Sequence, residues 1–252
     1  LTSQARVRPW AYGFRRGATV VGAAVTSMFA LLAGPAPASA QPPPCTDVEV
    51  VFARGTNEPF GVGAPGQSFV DALRWHLGMR SLAVYPVNYA ASGDFASPDF
   101  QRTVVDGARD AAVHIQNTAA ACPATRIVLG GYSQGAVVAD FVASGTAPQG
   151  LPPEAVPAPL PPEVGEHIAA VVYFGKPTDQ VLRKYGATAV PLSEPLAAKS
   201  LNLCVPGDPI CSPGADGHLH GLYVANGLTH QGAAFAAGRL TPPPPPLPPP
   251  PM

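Results

Sequence analysis

The chain has 252 residues, a formal net charge of −1, 12% charged residues and 46% hydrophobic ones. So even a charge balance offers no basic stripe to a phosphate backbone, which excludes a nucleic-acid partner. Few charges together with plentiful Ala and Val suggest instead an ion-poor surface that suits lipid-like partners.

Residues 1–40 read as a cleavable signal peptide. A basic lead with Arg6, Arg8, Arg15 and Arg16 precedes the apolar stretch "GATVVGAAVTSMFALLAG", and the small-residue end "APASA" closes at Ala40. An Ala-x-Ala end directly after the apolar stretch favours cleavage over a retained membrane anchor. The mature protein is expected to be secreted or wall-associated, monomeric and without a membrane span. Cys45, Cys122, Cys204 and Cys211, an even set in an oxidising compartment, predict two disulfides. The short segment "CVPGDPIC" makes Cys204 with Cys211 the local pair and leaves Cys45 with Cys122. Their spacings do not resemble a Cys-x-x-Cys zinc knuckle, and no metal is expected.

After the proline-rich lead "QPPPC", β-branched runs alternate with segments of helical period. Strands are predicted over 47–53, 82–87, 126–132, 168–177 and 200–204, and helices over 66–80, 97–122, 134–144 and 229–240. Ser97 and Pro98 supply a cap and a first-turn proline to the long helix. Apolar strands separated by helices imply a mostly parallel sheet covered on both faces: an α/β fold, a three-layer α/β/α sandwich of about five strands. The proline-rich excursion 146–167 reads as an irregular, ordered loop. The tail "TPPPPPLPPPPM", 241–252, reads as extended and solvated, which leaves residues 41–240 as one domain.

In such a sheet, ligands sit at the carboxyl ends of the strands. There Gly131-Tyr132-Ser133-Gln134-Gly135 matches Gly-x-Ser-x-Gly between a strand and a helix, the context in which a serine is thrust outward as a nucleophile. Side chains at either flanking glycine would crowd that turn, and the helix aims its first amides at a developing oxyanion. A serine nucleophile needs a base and an acid, expected in the order serine, acid, histidine. His167 opens a predicted strand and His230 falls in the terminal helix, so "GADGHLHGLYV", with His218 and His220, remains. For the acid, Asp208 lies in the loop pinched between Cys204 and Cys211, Asp216 is its rival, and Asp179 is a weaker option after the fourth strand.

The ordered set "CTDVEVVFARGTNEP", "RIVLGGYSQGA", "VVYFGKP", "CVPGDPIC" and "HGLYV…GLTHQGAAFAAGRL" resembles the cutinase family, particularly its secreted actinobacterial members, over nearly all of Cys45 to Leu240. The resemblance implies Ser133 as nucleophile, Asp208 as acid and, from a His-x-x-Tyr spacing with Tyr223, His220 as base, with His218 the alternative. It also implies an oxyanion hole from the amides of Gln134 and Thr56; the plainer reading of the same residues is Thr56 as a loop capper and Arg54 with Glu58 as a structural ion pair. No cofactor is implied. The expected activity is hydrolysis of short to medium acyl esters, lipids or polyesters such as cutin, at a site open to solvent. The alternatives are acyl transfer onto a cell-envelope hydroxyl and a non-catalytic wall-associated binding protein.

Overall fold

The computed structural model of the protein describes residues 44–95, 97, 99–144 and 157–240. The signal segment 1–40, the tail 241–252, Pro98 and the first half of the excursion, 146–156, lie outside the described residues.

Five strands form the sheet: β1 Val48–Ala53, β2 Leu82–Pro86, β3 Arg126–Tyr132, β4 Ile168–Phe174 and β5 Ser200–Leu203. Their order is β2-β1-β3-β4-β5, and every neighbouring pair is parallel. The helices are α1 Gly63–Leu77, α2 Asp99–Ala121, α3 Gln134–Ala143, α4 Pro162–His167, α5 Asp179–Lys184, α6 Glu194–Ala197 and α7 Leu228–Leu240. Every residue of β1 and of β4 is buried, so neither face of the sheet centre can meet water and each must be covered. Alternate residues of β1 accordingly enter opposite cores. Val50 and Phe52 pack with Phe69 and Leu73 of α1 and Ala233 and Ala236 of α7. Val51 and Ala53 pack with Ala108 and Ile115 of α2 and Val138 and Val142 of α3. The architecture is the expected three-layer α/β/α sandwich.

Both disulfides form with the expected partners, Cys45–Cys122 and Cys204–Cys211. The first sits at the amino ends of β1 and β3, beside the bond from Arg126 N to Asp47 O at 3.0 Å. The second closes the loop after β5 at the opposite, carboxyl rim.

Four details differ from the sequence reading. β4 ends at Phe174 rather than at 177, because Gly175 adopts a φ of 60° and turns the chain out of the sheet. The excursion is not wholly irregular: its last residues form α4, so His167 ends a helix instead of opening a strand. The short helices α5 and α6 span too few residues to show a period; Thr178 caps α5 by accepting from Val181 N. The loop carrying His218 and His220 is a 3-10 helix, Gly217–Gly221, capped by Asp216, whose carboxylate accepts from His218 N at 2.9 Å.

The chain adds β2 on one side of β1 and β3, β4 and β5 on the other. The crevice where that order reverses opens between the carboxyl ends of β1 and β3.

Candidate active site

Ser133 follows β3 directly and precedes the first residue of α3. Its φ is 54°, a left-handed conformation that is costly for a residue with a Cβ. Three constraints hold it there. Ser133 N donates to Phe174 O at 2.9 Å, and Ser133 O accepts from Ala136 N at 2.9 Å. The flanking glycines let the backbones close in: a Cβ at Gly131 would stand 2.0 Å from Gly135 O. The hydroxyl is thereby pushed out over the crevice.

His220 and Asp208 meet it there. Ser133 Oγ lies 2.8 Å from His220 Nε2, and His220 Nδ1 lies 2.7 Å from Asp208 Oδ2. A carboxylate can only accept, so Nδ1 carries the proton and Nε2 is left to accept from the serine hydroxyl. Asp208 is fully buried and His220 is 19% exposed at its side chain. The Asp208 carboxylate is fixed at both oxygens: Ile210 N donates to Oδ1 at 2.9 Å, and Tyr223 OH donates to Oδ2 at 2.6 Å. Its backbone is pinned by Cys211 N and Ser212 N, both donating to Asp208 O. Tyr132, the residue before Ser133, donates to His220 O at 2.5 Å and stacks on the imidazole with ring centroids 5.1 Å apart. Burial, reinforced by the charges of Glu58 and Asp208, pushes the Tyr132 hydroxyl well above its ordinary pKa and keeps it a donor.

The other residues singled out in the sequence lie elsewhere. His218 and Asp216 are exposed, and Asp216 is occupied in capping. Asp179 is exposed at the start of α5, and His230 is exposed on α7. Cys204, Asp208 and Cys211 lie within ligand distance of one another, but both sulfurs are bonded in the disulfide, so they are no metal site.

Thr56 and Gln134 both line the crevice with Ser133. Gln134 is the first residue of α3, where an amide has no intrahelical acceptor. Its side chain is anchored by Nε2 donating to Ser92 O at 3.0 Å. In the Thr56 loop, Asn57 N and Glu58 N donate to Ala91 O and Gly55 O. Arg54 and Glu58 are not the ion pair expected of them. Arg54 is buried; its Nε donates to Glu58 O at 2.9 Å and one terminal nitrogen donates to Tyr89 O at 2.7 Å. The Glu58 carboxylate instead accepts from Gly55 N and Ala64 N, fastening the loop to the start of α1.

An apolar cleft leads away from Ser133, lined by Phe95, Phe100, Val104, Phe141, Leu182 and Tyr185 among others. Phe95, Phe100 and Tyr185 form a ring cluster with centroids 4.7 to 5.8 Å apart. The sequence reading did not single out these three. The available signal was an apolar ring in an otherwise turn-forming run, Phe95 in "ASGDFASPDF".

A left-handed serine after a parallel strand, joined to an imidazole and a buried carboxylate at the sheet's switch point, defines a serine hydrolase of the α/β type. The family model described as cutinase matches residues 44–240. Among curated proteins, the chain is 54% identical over 164 residues to the probable carboxylesterase Culp7 of Mycobacterium tuberculosis, covering 65% of this chain and 88% of that one. It is 45% identical over 231 residues to the phospholipase Culp4 of the same organism, covering 92% and 95%. Among solved structures, Trichoderma reesei cutinase in complex with a C11Y4 phosphonate inhibitor superposes with a TM-score of 0.58 at 33% identity, covering 79% and 78%. The chain belongs to the cutinase family and is a carboxylic ester hydrolase.

Proposed function

We propose that the protein is a secreted serine esterase in which Ser133 is the nucleophile, His220 the general base and Asp208 the orienting acid. The observation that carries this reading is the unbroken line from Ser133 Oγ through His220 to Asp208 Oδ2, at 2.8 and 2.7 Å. His220 Nε2 takes the hydroxyl proton as Ser133 Oγ attacks the ester carbonyl, and the amides of Gln134 and Thr56 receive the oxyanion. On collapse, His220 returns the proton to the departing alcohol and the acyl group stays on Ser133. Water then attacks the acyl-enzyme, giving its proton to His220, and the acid leaves as Oγ is reprotonated. Asp208 stays ionised throughout and offsets the imidazolium charge.

The cleft of Phe95, Phe100, Val104, Phe141 and Tyr185 is the acyl site in this reading, since it starts at Ser133 and presents rings and branched chains rather than charges. Short to medium acyl esters, including those of lipids, fit such a lining. Residues 1–40 direct export, 41–240 are the catalytic domain and 241–252 a tail outside it. Two disulfides suit that destination.

The test is hydrolysis of p-nitrophenyl acetate, butyrate, octanoate and palmitate by the protein lacking residues 1–40, with fluorophosphonate labelling mapped to its serine. Turnover that peaks at butyrate or octanoate, and labelling abolished by Ser133→Ala, are expected. No turnover of any ester and no label on Ser133 would end the reading.

A further inference from the structure

We propose that Tyr223 is a positioning residue of the reaction: by sharing Asp208 Oδ2 with His220, its hydroxyl fixes where the histidine points and how basic it is. This inference rests on the triad assignment above.

His220 lies in the last turn of the 3-10 helix Gly217–Gly221, and Tyr223, three residues on, follows its C-cap residue Leu222. Both donate to the same carboxylate oxygen, His220 Nδ1 at 2.7 Å and Tyr223 OH at 2.6 Å. The other oxygen is taken by Ile210 N. Asp208 and Tyr223 are both fully buried, so water cannot replace either donor. The Tyr223 ring is wedged edge-on against Tyr132 and Phe174, at 5.5 and 6.3 Å between centroids. The room for its hydroxyl is narrow: a Cβ at Gly175 would lie 2.7 Å from the phenolic oxygen and 2.9 Å from His220 Cε1. Burial first, then the bond to Asp208, pushes Tyr223 well above the ordinary phenol range, so it donates at every working pH.

A carboxylate oxygen with two donors divides its charge between them. With the hydroxyl gone, the imidazole faces the whole of it, the imidazolium is stabilised, and His220 loses its proton at higher pH. The carboxylate also loses a restraint, so the imidazole spends less time aligned with Ser133. The remaining groups facing His220 do not offer a substitute. Ser133 and Tyr132 lie on the β3 side, with the Glu58 carboxylate acting on Tyr132 from the β1 loop. Cys211 Sγ, 3.2 Å from Asp208 Oδ2, is bonded to Cys204 and does not titrate.

Tyr223→Phe keeps the ring and removes only the hydroxyl. In this variant the acid limb of the kcat/KM profile for p-nitrophenyl butyrate should move up by roughly half a pH unit. Its kcat should fall on the order of tenfold, with KM unchanged because Tyr223 does not line the cleft. NMR titration of the His220 ring in Ser133→Ala, with and without Tyr223→Phe, should show the same upward shift in the absence of turnover. Superimposable profiles and titrations, with only a lower Tm, would make Tyr223 a structural residue and overturn the inference. Asp208→Asn separates the two levels. Full activity in that variant sinks the triad itself, whereas an inactive Asp208→Asn beside an unshifted Tyr223→Phe sinks the role of the tyrosine alone.

Discussion

Gly135 and Ala53 touch backbone to backbone: a Cβ on Gly135 would lie 2.0 Å from Ala53 O and 2.4 Å from Arg54 O. The first turn of α3 therefore rests on the end of β1 with nothing between them, which holds Ser133 and Thr56 on two sides of one crevice. Gly135→Ala must separate these elements. Stability should fall by about 1–3 kcal/mol, and kcat/KM on the order of a hundredfold because, in the proposed mechanism, Ser133 Oγ shifts against the amides of Gln134 and Thr56. Thermal melts and ester kinetics on the same preparation check this; unchanged kinetics would mean that the contact has slack.

The two disulfides should separate stability from activity. Cys45–Cys122 closes a loop with a sequence separation of 77, and Cys204–Cys211 one of 7. In the chain-entropy account, removing the first costs on the order of 4 kcal/mol and the second about 2.5 kcal/mol. Yet the shorter one braces Asp208, so its double-serine variant should lose the larger share of kcat while keeping the higher Tm. The opposite ranking in either measurement would detach the Asp208 loop from its brace.

Lys176 Nζ lies 2.6 Å from Asp140 Oδ1, joining the turn after β4 to α3, with the aspartate side chain 3% exposed. Lys176→Met strands that carboxylate, and unfolding at neutral pH should become easier by about 3 kcal/mol. Burial raises the Asp140 pKa above 3.8, with Lys176 opposing. A folded-state pKa above the unfolded value stabilises most below 3.8 and loses that contribution as pH rises through the raised value. The deficit of the variant should therefore shrink as urea melts are moved from neutral pH toward about pH 4. A deficit independent of pH would point to lost packing instead.

Asp47 gives the opposite sign at the amino rim. Its carboxylate accepts from Ser81 Oγ and Ser81 N, both at 2.7 Å, and these bonds hold its pKa below 3.8. Stability from this contact is present above 3.8 and lost as the pH falls through the lowered value. Ser81 Oγ also accepts from Asp47 N at 2.9 Å, a bond that does not titrate, so Ser81→Ala should lower Tm most at neutral pH and by less in strong acid; a deficit of the same size at both pH values would contradict the link to ionisation.

Truncating the ring cluster should change selectivity more than chemistry. Phe100→Ala should lower kcat/KM for p-nitrophenyl octanoate about tenfold while leaving the acetate within about twofold. An equal loss on both esters would remove the cleft from acyl recognition.

Much of this was legible in the residues, for identifiable reasons. β4 is apolar throughout, β1 is apolar but for Glu49, and α2 is long enough to repeat its pattern, so local composition announced them. Ser133 was legible because glycines at 131 and 135 are sterically required. The His-x-x-Tyr spacing favoured His220 over His218 but could not show the contacts themselves, because these depend on which face of a 3-10 helix turns inward. Nor could the sequence show that Arg54 would spend its donors on carbonyls, since backbone acceptors leave no mark in side-chain chemistry. Phe95 and Phe100 stand five residues apart, but Tyr185 comes from a distant segment and joins them only once the sheet has formed.

The two covalent fasteners stand at opposite rims, Cys45–Cys122 beneath the strands and Cys204–Cys211 beside the acid. Of the cleft residues, Phe95 and Phe100 lie within the segment closed by Cys45–Cys122 and Tyr185 outside both closed segments, and none of the three takes part in the bonds joining Ser133, His220 and Asp208. In the proposed reading, acyl choice is thus carried by side chains that can be exchanged without touching either disulfide or the bonds around Ser133. The same catalytic chassis can be refitted for another ester by replacing its upholstery alone.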